Sequence, residues 1–202
     1  MKKQKHWSDY LWVASVLYLL LGMVHIMFAY LGLICFALPL AIAAIKGNKA
    51  YCNTYCGRGQ LFGILGERLK LSRNKPIPPW MRSKWFRYGF LTFFMTMFGL
   101  MLFSTYKVFA GAKSLSQALT LLWVFNVPWG FADVSGVPAA AAQFAYGFYS
   151  VMLTSTILGL ITMLLYKPRS WCVYCPMGTM TQGICRLKHG NAPAECTVNS
   201  SK

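Results

Sequence analysis

The chain has 202 residues, 56% of them hydrophobic, with four acidic residues against 20 basic ones and a formal net charge of +16. Together with a mean hydropathy of +0.45, this composition excludes an ordinary soluble domain and reads as an integral membrane protein. The charge does not point to nucleic acid, because the basic residues flank apolar runs rather than covering a soluble face; there they orient helices and meet anionic lipid head groups.

Four apolar runs follow in chain order: Tyr10 to Val24, Met27 to Ile45, Phe86 to Tyr106 and Val137 to Tyr166. At roughly 20 residues per helical crossing they predict an all-α integral membrane protein with about four transmembrane helices. The first two runs are short and nearly contiguous, which predicts a tight hairpin turning near His25. MKKQKHW and the run after it resemble the start of a secretory signal, but no small-residue cleavage pattern follows, so a retained helix is expected. Leu115 to Ala132 is interrupted by Asn126 and Pro128 and carries Trp123 and Trp129, so it is expected to be an outer interfacial or re-entrant segment.

Charge sets the expected orientation. Met1 to Ser8 carries three basic residues, Lys46 to Arg87 ten and Lys167 to Lys202 five, whereas Lys107 to Gly136 has two. Excess Lys and Arg marks the cytoplasmic side, so both termini and the long middle segment are expected in the cytoplasm of a cell with the protein in its inner membrane. Cys52, Cys56, Cys172 and Cys175 then share one side of the membrane.

The segments carrying these cysteines read alike. YCNTYCGRGQLFGILGERLK and WCVYCPMGTMTQGICRLK each present an aromatic residue, Cys, a short spacer, Tyr, Cys, two residues and Gly, then Gly-Ile and Arg-Leu-Lys, with one gap and small shifts. Cys52 pairs with Cys172, Tyr55 with Tyr174, Cys56 with Cys175 and Gly59 with Gly178. A single membrane domain of two parallel repeats is therefore expected, the first over about 10–75 and the second over about 86–188, with a polar tail at 189–202. After each cysteine pair, Gln60 to Lys70 and Thr179 to Lys188 are expected as short basic surface helices, with Leu61, Ile64, Leu65 and Leu69 at helical spacing in the first.

Thiols on a cytosolic face stay reduced, which disfavours a structural disulfide. Four thiolates converging from two segments suit an iron–sulfur cluster. Arg58, Lys49 and Arg169 are expected to offset its charge and lower the thiol pKa values. Two rivals use the same cysteines: a site for zinc or copper, and quinone-linked thiol–disulfide exchange.

KGNKAYCNTYCGRGQLFGILGERLKLSRNKPIPPWMRSKWFR and KPRSWCVYCPMGTMTQ resemble, in order, charge and spacing, the membrane 4Fe-4S-binding domain of NapH/NosR-type polyferredoxins. That resemblance covers about Leu31 to Phe103 and Tyr146 to Lys188. It implies a 4Fe-4S cofactor held by Cys52, Cys56, Cys172 and Cys175. It also implies electron transfer between a quinol pool and a redox partner, such as a ferredoxin-like protein or reductase subunit, rather than stand-alone catalysis. Gly57 stands where the family has proline, and the second pair is spaced by two residues rather than three. The soluble ferredoxin motif usual in the family is not found, so a separate partner is expected to supply or accept electrons.

Other candidates carry weaker signals. Cys185 and Cys196 are additional metal-ligand candidates, but Cys185 reads better as a residue packed beside the membrane and Cys196 as a free tail thiol. Cys35, within the second run, reads as a small buried residue. His25 is either a quinone contact or an interfacial polar residue, and Asp133 is either a proton acceptor in quinol oxidation or a plain loop residue. Met95, Met97 and Met101 fit packing better than copper(I) handling.

Overall fold

The computed structural model describes residues 10–46, 51–112, 114–116, 118–121, 125–128 and 136–189. Helices dominate: α1 (Leu11–Val24), α2 (Leu31–Lys46), α3 (Gly57–Glu67), α4 (Pro79–Arg82), α5 (Lys84–Phe109), α6 (Ala139–Leu165) and α7 (Pro176–His189). A 3-10 helix at Ile26–Tyr30 leads into α2, a π-helical turn at Tyr51–Tyr55 precedes α3, and a 3-10 turn at Ser170–Val173 precedes α7.

Three helices among the described residues are long and apolar enough to cross a membrane. They are Ile26–Lys46 with mean hydropathy 2.4, Lys84–Phe109 with 1.4 and Ala139–Leu165 with 1.9. Of the four crossings expected, the first is represented by α1, whose 14 residues rise only about 21 Å at 1.5 Å each, against a hydrocarbon core of about 30 Å. Large apolar side chains are exposed along the long helices. Trp85 and Tyr88 near one end of α5, and Tyr106 and Phe109 near the other, place aromatic rings where the two head-group layers would lie.

The segment expected to be interfacial contains an antiparallel ladder, β1 (Ala118–Leu121) with β2 (Phe125–Pro128), in the register Ala118 to Pro128 and Leu121 to Phe125. The ordered elements are otherwise helical among the described residues, so this hairpin is a local addition to a helical fold. Asn126 and Pro128, which argue against a helix, are accommodated in a short strand with Pro128 at its end.

The contacts divide into two compact units. The first lies within Met1–Val16, Phe36–Leu91 and Leu158–Lys202, the second within Leu17–Cys35 and Thr92–Ile157. In the second unit Ile26, Ala29, Leu119, Ala145, Tyr146 and Tyr149 form the core. Tyr149 donates to the Leu19 carbonyl at 2.7 Å and Tyr30 to the Ala141 carbonyl at 3.1 Å. Glycines admit large neighbours: a Cβ on Gly22 would run into the Tyr149 ring, and one on Gly147 into Met101, the small-residue packing that lets membrane helices approach closely. Met97 and Met101 are buried, in keeping with packing residues.

The core of the first unit is aromatic and encloses the second cysteine motif. Phe62, Met81, Met163, Trp171 and Tyr174 are buried together, with Phe86, Phe90 and Cys175 against them. Phe90 meets the rings of Trp171 and Tyr174 edge-on at 5.7 and 5.1 Å, and Trp171 meets Tyr174 at 5.0 Å. Edge-to-face geometry of this kind adds about 0.5–1.5 kcal/mol per pair beyond burial. Thr162 donates to the Leu158 carbonyl at 2.6 Å, so in its bond with Tyr174 the phenol is the donor. Ser150, Ser155 and Thr156 on α6 bond back to its own carbonyls in the same way.

Candidate functional site

The two cysteine segments are built alike locally. In each, a short irregular turn carries the first cysteine and the second cysteine opens a basic helix. Cys56 caps α3 in extended conformation: its carbonyl accepts from Gln60 N–H at 3.0 Å, and its Sγ accepts from Gly59 N–H at 3.4 Å. Cys175 precedes α7 in the same way: its carbonyl accepts from Thr179 N–H at 2.9 Å, and its thiol receives backbone hydrogen bonds from Gly178 and Met177. Pro176 fits the first position of α7, where a missing N–H costs nothing. Both sulfurs therefore occupy the positive end of a helix dipole, where negative charge is favoured.

The structure brings Cys52, Cys56, Cys172 and Cys175 together, all as thiols rather than disulfides. A Cβ placed on Gly59 would lie 3.5 Å from Cys172 Sγ and 3.6 Å from Cys56 Sγ, so the two motifs face each other across a position that holds no side chain. The charge of Cys172 is coupled to those of Cys56, Cys175 and Cys52. Cys52 Sγ lies 3.7 Å from Thr181 Oγ1, which donates to the Gly178 carbonyl at 3.2 Å.

Gly57 accounts for the absence of proline after Cys56. A Cβ there would come within 2.5 Å of the Leu11 carbonyl oxygen and 2.6 Å of Ser15 Oγ, so α1 leaves no room for a larger residue. Two further contacts fix α7. Arg87 donates to Gln182, and Lys188 Nζ donates to the carbonyls of Ala44 and Ile45 at 3.0 and 2.5 Å, capping the end of α2. Thr181, Gln182 and Arg87 carry no signal in the sequence, since each acts through a tertiary contact.

The expected lowering of the thiol pKa values is corrected. Burial raises the Cys172 thiol, the neighbouring Cys56 and Cys175 charges push the same way, and Arg169 pulls it down by less. Burial also raises Cys175, against the Gly178 hydrogen bond and Arg58. Desolvation outweighs the two cations. Lys49 lies outside the described residues, as do Trp123, Trp129, Asp133 and Cys196.

Cys185 is fully buried on α7. One further expectation changes. Cys35 is exposed on α2 rather than buried, on a surface that lipid would cover. His25 is half-buried and caps the 3-10 helix, its Nδ1 accepting from Met27 N–H at 3.2 Å.

The four thiols fit an iron–sulfur group. The donor set has the required number and type, backbone N–H groups already point at two of the sulfurs, and Gly59 keeps the intervening space open. A family model described as a 4Fe-4S binding domain matches residues 28–78 and 150–191, segments that include both cysteine pairs. No curated protein and no solved structure matches the chain. The class supported is thus a protein with membrane-length apolar helices and an iron–sulfur domain, the kind of domain that serves electron transfer.

Proposed function

We propose that this chain is a membrane-bound iron–sulfur electron-transfer protein in which Cys52, Cys56, Cys172 and Cys175 hold one 4Fe-4S cluster. The observation that carries this reading is the grouping of the four thiols around Cys172, with Cys56 and Cys172 flanking Gly59 and two of the four at helix N-termini. The cluster would supply one-electron transfer. The chain's own residues then have defined tasks. Backbone N–H groups of Gly59, Gly178 and Met177 stabilise sulfur charge, Arg58 and Arg169 offset it, and the Trp171, Tyr174 and Phe90 rings keep water from one side.

Electrons pass between a membrane quinol pool or redox partner and a cytoplasmic-side partner such as a ferredoxin-like protein or reductase subunit. The orientation rests on the excess of basic residues in Lys46 to Arg87 and Lys167 to Lys202. With α5 and α6 both crossing, the two motifs share a face whether or not α1 crosses as a fourth span. The matching cap geometry at Cys56 and Cys175 supports two parallel repeats.

The metal-ion uses of these thiols are less well supported. A single zinc or copper(I) ion needs three or four donors within one coordination sphere, and no group of three His, Cys, Asp or Glu among the described residues is close enough to hold one ion.

The test is iron and acid-labile sulfide per chain in protein purified without oxygen, beside Cys172→Ser. About four of each in the parent, with loss in the variant, is the expected result. Neither element in a helical, intact preparation overturns the proposal. A reporter fused at the C-terminus tests orientation separately, and a signal from outside the cytoplasm would refute it.

A further inference from the structure

A cavity of about 580 Å3, within the range of small-ligand sites, lies beside the cysteine site. It is lined by Glu67, Lys70, Ser72, Asn74, Lys167, Arg169 and Ser170, with Ile77, Pro168 and Val173 among its apolar walls. Three cations face one carboxylate, so the lining is net positive. Ser170 is 1% exposed, and its buried hydroxyl has no hydrogen-bond partner among the described residues. A buried hydroxyl left unpaired carries a desolvation cost, which a bound acceptor would remove.

The walls are held in place. Arg73 N–H donates to the Leu164 carbonyl at 3.1 Å and Ser72 Oγ donates to the Tyr166 carbonyl, so the Lys70–Asn74 segment caps the end of α6. Lys70 and Asn74 both adopt left-handed backbone conformations, φ 53° and 54°. For a lysine this is uncommon and is retained only where the surroundings enforce it. Gly66 lets α3 approach Pro168 so closely that a Cβ would meet its ring at 2.7 Å.

We propose that this cavity binds the phosphate of an anionic phospholipid head group. Lys70, Lys167 and Arg169 supply the charge, Ser170 donates a hydrogen bond, and Ile77 and Val173 meet the apolar part of the lipid. The depth is right for such a ligand: Lys167 and Arg169 follow immediately on the last apolar turn of α6, which ends at Leu165, where head groups lie and where basic pockets recognise anionic lipid. A free phosphate shares the charge chemistry but has no use for the apolar walls. The inference rests on the membrane reading of α6; because Arg169 also faces Cys172, the two lysines rather than Arg169 carry its test.

The test is thermal unfolding of the full chain in neutral detergent, titrated with short-chain phosphatidylglycerol, short-chain phosphatidylcholine or inorganic phosphate. Phosphatidylglycerol is expected to raise the midpoint at concentrations where the other two do nothing. Lys70→Ala with Lys167→Ala should weaken that effect about tenfold or more at low salt, and the corresponding pair of arginine substitutions should keep most of it. Arg82→Ala with Lys84→Ala removes the same charge from exposed positions outside the cavity and should leave it unchanged. Equal loss in that control pair, or an equal response to phosphatidylcholine, would overturn the proposal, as would saturation by inorganic phosphate alone. Membrane insertion is scored separately, by retention in vesicles after an alkaline wash, so a soluble chain would be recognised as a failure of the membrane reading itself.

Discussion

Replacing Gly59 with alanine should move stability and cofactor content in opposite directions. Gly59 is the third residue of α3, and an added Cβ would rest 3.5 and 3.6 Å from the sulfurs of Cys172 and Cys56, ordinary van der Waals contact. The metal-free protein therefore has nothing to push aside, and it gains the helix propensity of alanine over glycine, at most about 1 kcal/mol. An iron bonded to either sulfur would have to share the space that the new methyl group fills. Overpacking of this kind costs about 1–3 kcal/mol, or roughly 5- to 150-fold in cofactor retention. The assay is iron and acid-labile sulfide per chain after anaerobic purification and gel filtration, with denaturation of the metal-free form alongside. Gly59→Ala with full iron and sulfide would refute the assignment of that space to the cofactor. A loss of helix in the metal-free variant would refute the steric estimate.

Other outcomes follow from the same geometry. In the metal-free protein the raised thiols of Cys172 and Cys175 stay protonated when folded, while in the unfolded chain they ionise at about 8.5. The stability they contribute is complete below that pH and is lost as pH rises above it; denaturant midpoints at pH 7.5 and 9.5 should differ in that sense, and a Cys172→Ala, Cys175→Ala double variant should flatten the difference. Tyr174→Phe removes the phenol donor to Thr162 and should lower stability by about 1 kcal/mol while leaving iron content near the parent value. Lys188→Ala removes the cation from the end of α2 and should cost less than about 1 kcal/mol, measured as a small fall in the same midpoint. Cys35→Ser, on the exposed face of α2, should retain full iron, whereas Cys172→Ser should lose it.

What could be read without coordinates was whatever depends on run length and spacing. The long apolar helices α5 and α6 are legible because each exceeds a membrane thickness, and the cysteine pairs because four thiols beside glycines and arginines are rare in an apolar chain. The length of α1 was harder to judge, since Tyr10 to Val24 runs almost into the next apolar segment and only the break at His25 separates them. The hairpin was hidden because four-residue strands show too little alternation to distinguish from an interrupted helix. Cys56 as a helix cap was unreadable because cysteine is not among the usual capping residues; at Cys175 the following proline offered a hint. Arg58 and Arg169, which pull the thiols down, are visible in the sequence, whereas the burial that outweighs them is not.

The two halves of the thiol site come from distant parts of the chain, with α5 and α6 between them. During synthesis Cys52 and Cys56 leave the ribosome before either helix exists, and Cys172 and Cys175 follow only when both are nearly complete. On the proposed ligand set, no nascent form holds a four-thiol centre, so loading waits for the helices to insert and pack. Closing the site then joins the two ends of a very long loop, which ties retention of the finished membrane fold to possession of its metal. Cells short of iron or sulfide should therefore accumulate this chain as an inserted but open precursor, recognisable by alkylation of its cysteines and exposed to the proteases that survey incomplete membrane proteins.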